Sequence, residues 1–205
     1  MRKNKIEWMT KIAMLSAAAM VLMLFEFPLP FIAPAFYELD FSEVPVLVGA
    51  FALGPVAGIA IEFLKILLNL LINGTITAGV GEFANFLVGV SFILPAEMIY
   101  RHKKNKKNAI MGMVVGSITM AVFAGFVNAF VLIPTYSKML NIPMDAIVDM
   151  GKAIFPAVDS LSKLVLLCVV PFNLLKAVLV SVITAFIYKP LSPILKYRIK
   201  GKKQS

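Results

Sequence analysis

Lys176 and Asn173 are the residues whose type and spacing most invite a chemical reading. They stand three apart, hence on one helix face, near the middle of an apolar run from Leu161 to Tyr188. An ammonium and an amide in such a run are costly unless each meets a partner or a ligand. They either lock the helix to its neighbours or line a site for a polar molecule. Asn128, deep in the preceding run within AGFVNAF, is open to the same two readings. Glu62 and Lys65, three apart, can pair with each other, and Glu82 and Asn85 share a face near the start of another run, where they can line a cavity mouth. Ala13 and Ala17 begin a strip of small side chains, which suits ordinary internal packing or the close approach of another helix.

Catalytic chemistry finds little footing. The one histidine, His102, lies between Arg101 and Lys103 and reads as a solvated loop residue rather than a base. No Cys, His or carboxylate cluster has metal-ligand spacing, no glycine-rich phosphate loop occurs, and no serine has an evident base. The chain is therefore read as neither an enzyme nor a metal or cofactor protein. Cys168, the only cysteine, excludes an internal disulfide and reads as a small core residue.

The elements that position these groups must lie in lipid. Of 205 residues, 60% are apolar and 15% charged, and the mean hydropathy is +0.89, so one integral membrane domain over residues 1–205 is expected, with no sizeable soluble part. The net charge of +9 would suggest nucleic acid in a soluble chain. Here most of the Lys and Arg residues fall in three clusters that flank apolar runs: Arg2 to Lys11, Arg101 to Lys107 and Lys189 to Lys203. That placement follows the positive-inside rule, so a bilayer rather than nucleic acid is the expected surroundings. Both termini are then cytoplasmic, and Glu38, Asp40, Glu43, Asp145, Asp149 and Asp159 lie in segments that face outward.

Parity fixes the number of crossings. An even count must separate the N-terminus from the Arg101 to Lys107 loop, so the run from Val44 to Ile72 must be double, broken at Leu53-Gly54-Pro55. Each half is shorter than a bilayer, and such helices are tolerated where they border a cavity. The expected fold is an all-α membrane protein, a six-transmembrane-helix bundle with a short broken helix pair and a structured loop between the first two helices. That loop, FPLPFIAPAFYELDFSEVP, is too stiff and apolar to float in water and is expected to fold back as a lid. A second segment, Pro134 to Asp159, holds an amphipathic stretch around Met144 to Ile154 that suits a helix across the outer mouth.

Over essentially its whole length the chain resembles the S components of energy-coupling factor (ECF) vitamin transporters, and among them the riboflavin-specific type. The Ala13-x-x-x-Ala17 strip, the lid, the hairpin FALGPVAGIAIEFLK, the segment GEFANFLVG and the closing NLLK carry the resemblance. It implies a pocket under the lid that binds riboflavin from outside as transported ligand. It also implies a place in the plasma membrane and docking of the Ala13 and Ala17 face on a transmembrane coupling subunit, which joins the S component to two cytoplasmic ATPase subunits. The sequence has no phosphate loop of its own, so any ATP dependence comes from those partners.

By the same resemblance Asn128, Asn173 and Lys176 map to flavin-contacting positions. The chemistry suits the ligand, because an asparagine presents a donor and an acceptor together to the uracil-like edge of the ring, and a lysine donates to a carbonyl or ring nitrogen. Glu38, Asp40 and Ser42 in the lid are placed to meet the ribityl hydroxyls, and Phe31, Phe36 and Tyr37 to pack on the ring or cap helix ends. An S component for another vitamin or for a flavin nucleotide, a membrane-embedded enzyme and a ligand-free assembly subunit are the competing readings.

Overall fold

The computed structural model describes residues 2–196 by their backbone and 5–195 by their side chains; the outer parts of the first and last basic clusters lie outside those bounds. Nearly all of it is helical. Helix α1 spans Arg2–Met23, α2 Glu43–Leu53, α3 Pro55–Asn73, α4 Val80–His102 and α5 Lys106–Val127. A π-helical turn, Asn128–Leu132, joins α5 to α6, Ile133–Met139. After α7, Met144–Lys152, the chain enters α8, Leu161–Leu164, a second π-turn, Val165–Val169, and the long α9, Val170–Lys196.

Five helical stretches are long and apolar enough to cross a membrane: Lys5–Met23, Pro55–Asn73, Val80–His102, Lys106–Met139 and Leu161–Leu195. Helix α2 is apolar but has only 11 residues, about 16 Å of rise. The break between α2 and α3 falls at Gly54, whose φ of +100° suits glycine, and Pro55 opens the next helix where its missing N–H costs nothing.

The bundle closes through small residues. Gly112 and Gly116 on α5 sit against the α4 backbone at Ala96 and Phe92, leaving no room for a side chain, so the two helices approach as small-residue faces do in lipid. Helix α9 packs on α5 and on α2, and α1 on α2 and α3. The main core runs through Leu47, Ile61, Phe92, Ile93, Met120 and Val180.

A second core holds the segment between α1 and α2. A two-residue antiparallel ladder pairs Phe27 with Leu39 and Pro28 with Glu38, numbered β1, Phe27–Pro28, and β2, Glu38–Leu39. From this clasp Ala33 and Leu39 are buried against Ile133, Val158, Leu164 and Phe172. The expected lid is thus a folded cap, and α7 lies beside it within the stretch where an amphipathic helix was expected.

Candidate ligand-binding site

Under the cap lies a cavity of about 330 Å³, within the range of small-molecule sites. Its walls come from the end of α1 at Met23, from the cap at Glu26, Tyr37, Glu38 and Asp40, from α4 between Gly81 and Val88, from α5 and the first π-turn, and from α9. Asn128, Asn173, Lys176, Glu38 and Asp40 all line it, as do Glu82 and Asn85. Ser42 does not. It is buried one step deeper, where its backbone N–H donates to Asp40 Oδ1 at 2.7 Å. Phe31 stands out on the exposed surface of the cap, whereas Phe36 and Tyr37 face inward.

The polar groups are held in defined orientations. Lys176 Nζ donates to Asp40 Oδ2 at 2.6 Å, so Asp40 bridges the first turn of α2 and the middle of α9. Burial alone would raise the Asp40 carboxyl, but Lys176, then Lys65, and hydrogen bonds from Lys176 and Ser42 outweigh it and hold it at about 2. Asp40 is therefore a carboxylate, and the ammonium it faces is pinned toward the cavity.

Asn128 Nδ2 donates to Ala124 O at 2.8 Å, and its Oδ1 accepts from the Tyr37 hydroxyl at 2.7 Å. Asn173 Nδ2 donates to Val169 O at 2.9 Å. Each amide spends one N–H on the carbonyl four residues back and keeps a second N–H for a ligand. Both sit next to π-turns: Asn128 opens one and Val169 closes the other. Such turns are frequent at functional sites.

On the cap side the lining is aromatic. Phe36 and Tyr37 have ring centroids 4.6 Å apart, Tyr37 lies 5.7 Å from Phe172, and Phe36 meets Tyr136 edge-on at 6.3 Å. A flat apolar ring can pack here while its polar edge reaches the two amides and Lys176. Partial desolvation, with the Glu38 and Asp40 charges next, raises the carboxyl of Glu26 at the rim.

Three features escaped the sequence reading. Tyr136 and Thr77 line the cavity; Thr77 carried no apolar-span signal, and Tyr136 lay in a stretch read only as outer loop. The third is Glu43, expected to face outward, which is 1% exposed and receives a hydrogen bond from Lys65 Nζ at 2.6 Å. Lys65 also meets Glu62 at 2.8 Å, as the spacing of that pair had suggested. Glu43 begins α2, and the cap turns that helix inward, so its carboxylate becomes a core group. Ala13 and Ala17 are exposed on α1, on the face turned away from α3 and α2.

Compared with known proteins, residues 7–188 match the family described as ECF transporter, substrate-specific component. The chain is 37% identical to the riboflavin transporter RibU of Staphylococcus aureus (strain TCH60), with 96% of this chain and 95% of that one covered. It is 31% identical to the riboflavin transporter FmnP of Bacillus subtilis (strain 168), with 92% and 94% covered. A solved S component of a bacterial ECF transporter superposes with a TM-score of 0.70 at 36% identity, covering 95% of this chain and 99% of the other.

Proposed function

Because the chain belongs to the substrate-specific components of ECF transporters, we propose that its capped cavity binds riboflavin from outside the cell and that the protein mediates uptake of the vitamin. It is a multi-pass membrane transporter subunit, not an enzyme, and riboflavin is its cargo rather than a cofactor. One observation supports the site above all others. Asn128, Asn173 and Lys176, from two separate helices, converge in one cavity that Phe36, Tyr37 and Phe172 also line.

In this reading the isoalloxazine ring lies against Tyr37 and Phe172, its pyrimidine edge meets the remaining N–H of Asn128 and the remaining N–H and the C=O of Asn173, and Lys176 donates to a ring oxygen or nitrogen. The ribityl chain runs toward Glu38 and Asp40. Ser42 acts through Asp40, whose carboxylate its N–H orients.

The same reading takes α2 as a sixth, short crossing, which puts an even number of spans between the basic N-terminus and the Arg101 to Lys107 loop. Both termini then lie on the cytoplasmic side of the plasma membrane. The exposed Ala13 and Ala17 face of α1 docks on a transmembrane coupling subunit, whose two ATPase partners supply the energy.

Flavin fluorescence titration of the detergent-purified protein tests the binding step. Wild type is expected to quench riboflavin emission tightly, with thiamin and biotin inert. Asn173→Ala combined with Lys176→Met should lower affinity by about a hundredfold or more, since one neutral and one charged hydrogen bond are lost. Failure of well-folded wild type to bind riboflavin would sink the assignment.

A further inference from the structure

A second cavity, about 690 Å³, lies at the opposite end of the bundle from the cap. Helix α4 runs from one to the other, lining the capped cavity between Gly81 and Val88 and this one at Tyr100. We propose that it is a binding site for one anionic phospholipid of the leaflet on the lysine-rich side.

Its polar end is cationic. Lys104, Lys106 and Lys189 line it, and among the described residues no carboxylate does. The N-terminus of α5 opens between the first two lysines, capped by Asn105, whose Oδ1 accepts from Asn108 N–H at 2.8 Å. That 22-residue helix has no acidic residue in its first turn, so the positive end of its dipole adds to the lysines.

Deeper in, Thr184 lines the cavity with its side chain wholly buried and its hydroxyl without a hydrogen-bond partner. A buried hydroxyl without a partner is uncommon and calls for an explanation. The floor is a fixed aromatic set. Phe51 and Tyr100 centroids are 4.6 Å apart, and the Tyr188 hydroxyl lies 3.0 Å from that of Tyr100 and donates to Phe51 O at 3.1 Å.

Two arguments favour a lipid over a free anion. A phosphate would use the lysines and leave the apolar walls unfilled. The side wall ends at Ile110 and Phe186, 46% and 77% exposed on faces turned to the bilayer, so an acyl chain can leave sideways.

The test is native mass spectrometry of the delipidated protein in mild detergent, with phosphatidylglycerol or phosphatidylcholine added back. One phosphatidylglycerol should be retained in preference to phosphatidylcholine. Lys104→Gln with Lys106→Gln should weaken retention by about tenfold or more. Lys103→Gln with Lys107→Gln, equal in charge and on the same loop but outside the lining, should leave it near wild type. Thr184→Val should weaken retention several-fold with no change of charge. Equal losses in the two lysine pairs would reduce the effect to general surface attraction and overturn the proposal. So would displacement of the lipid by inorganic phosphate or glycerol 3-phosphate. Riboflavin binding by every variant serves as the folding control, so a failure here is separable from a failure of the capped site.

Discussion

Two lysines lie in the same apolar bundle, and each donates to a carboxylate at 2.6 Å, yet they live in different surroundings. Lys65 is sealed between Glu43 and Glu62, with all three side chains essentially inaccessible. Lys176 meets Asp40 at the wall of a cavity, with 9% of its side chain exposed. A buried ion pair is weak evidence for stability in itself, because desolvation offsets most of the attraction. What separates the two is the open side. Lys65 has its partners on every face and can only hold helices together. Lys176 keeps donors for a guest, and a single carboxylate from the cap sets where they point.

The comparison breaks first, and with the largest effect, at the lysines themselves. Lys65→Met strands Glu43 and Glu62 without a cation, and removal of one member of a buried ion pair costs about 3–5 kcal/mol. Thermal unfolding in detergent should fall sharply, or folded protein should fail to accumulate. Lys176→Met also strands a buried carboxylate, Asp40, but one that keeps the Ser42 N–H and borders a cavity, so the melting temperature should fall less than in Lys65→Met, while riboflavin affinity drops by about tenfold to a hundredfold, the value of a charged hydrogen bond. Equal losses of stability in the two variants would erase the distinction.

The sealed triad can also be probed by shape. A Cβ on Gly89 of α4 would overlap the Glu62 carboxylate, 2.7 Å from its Cδ and 3.1 Å from Glu43 Oε1. Gly89→Ala should therefore destabilise by about 1–3 kcal/mol, the range for overpacking. Riboflavin affinity measured on the surviving folded fraction should change little. A binding loss larger than the stability loss would mean that the triad reaches into the site.

Part of the cavity lining was legible in helix spacing, whereas Asn128, Glu38 and Asp40 were placed by the family resemblance. Asn173 and Lys176, three apart in an apolar run, had to share a face, and both line the cavity. The hairpin break was legible at Gly54-Pro55 because proline and a positive φ leave few alternatives. The sealed triad was half legible. Glu62 and Lys65 signalled each other by spacing, but Glu43 sits in an acidic stretch after a proline-rich loop, where sequence cannot distinguish solvent from the start of a buried helix. The π-turns at Asn128–Leu132 and Val165–Val169 left no trace, since one extra residue in an apolar run changes neither its composition nor its length noticeably. Tyr37 was read as a ring that packs. Its hydroxyl bond to Asn128 joins residues 91 positions apart, beyond the reach of local pattern.

That bond gives the next smaller effect. Tyr37→Phe keeps the ring contact with Phe172 but releases Asn128 Oδ1, whose amide is then held only by Ala124 O. One neutral hydrogen bond, about 0.5–1.5 kcal/mol, corresponds to a loss of a few-fold in riboflavin affinity by fluorescence titration, with little change in thermal stability. A loss as large as that of Lys176→Met would make Tyr37 a direct ligand contact rather than a support for Asn128.

The smallest effect lies at the cap, where two carboxylates of the same segment are driven apart. Lys176 and its neighbours hold Asp40 at about 2, so its contribution is present above the ordinary carboxylate range and is lost only as pH falls toward that value. Between pH 5 and 8 it is constant. Glu26 is raised instead, by partial desolvation at the cavity rim and then by the Glu38 and Asp40 charges. The folded state therefore favours its proton. That contribution is full below the ordinary carboxylate value, about 4.3, and is lost as pH rises through the raised one. Glu26→Gln stays neutral throughout, so its melting temperature should match wild type near pH 4 and exceed it slightly by pH 7. The gap is small because Glu26 stands exposed at the rim, where water screens its neighbours. Melting curves of both proteins across that range decide the matter: a gap that opens with pH ties the slope to Glu26, whereas a constant gap would separate Glu26 from the charges of the site.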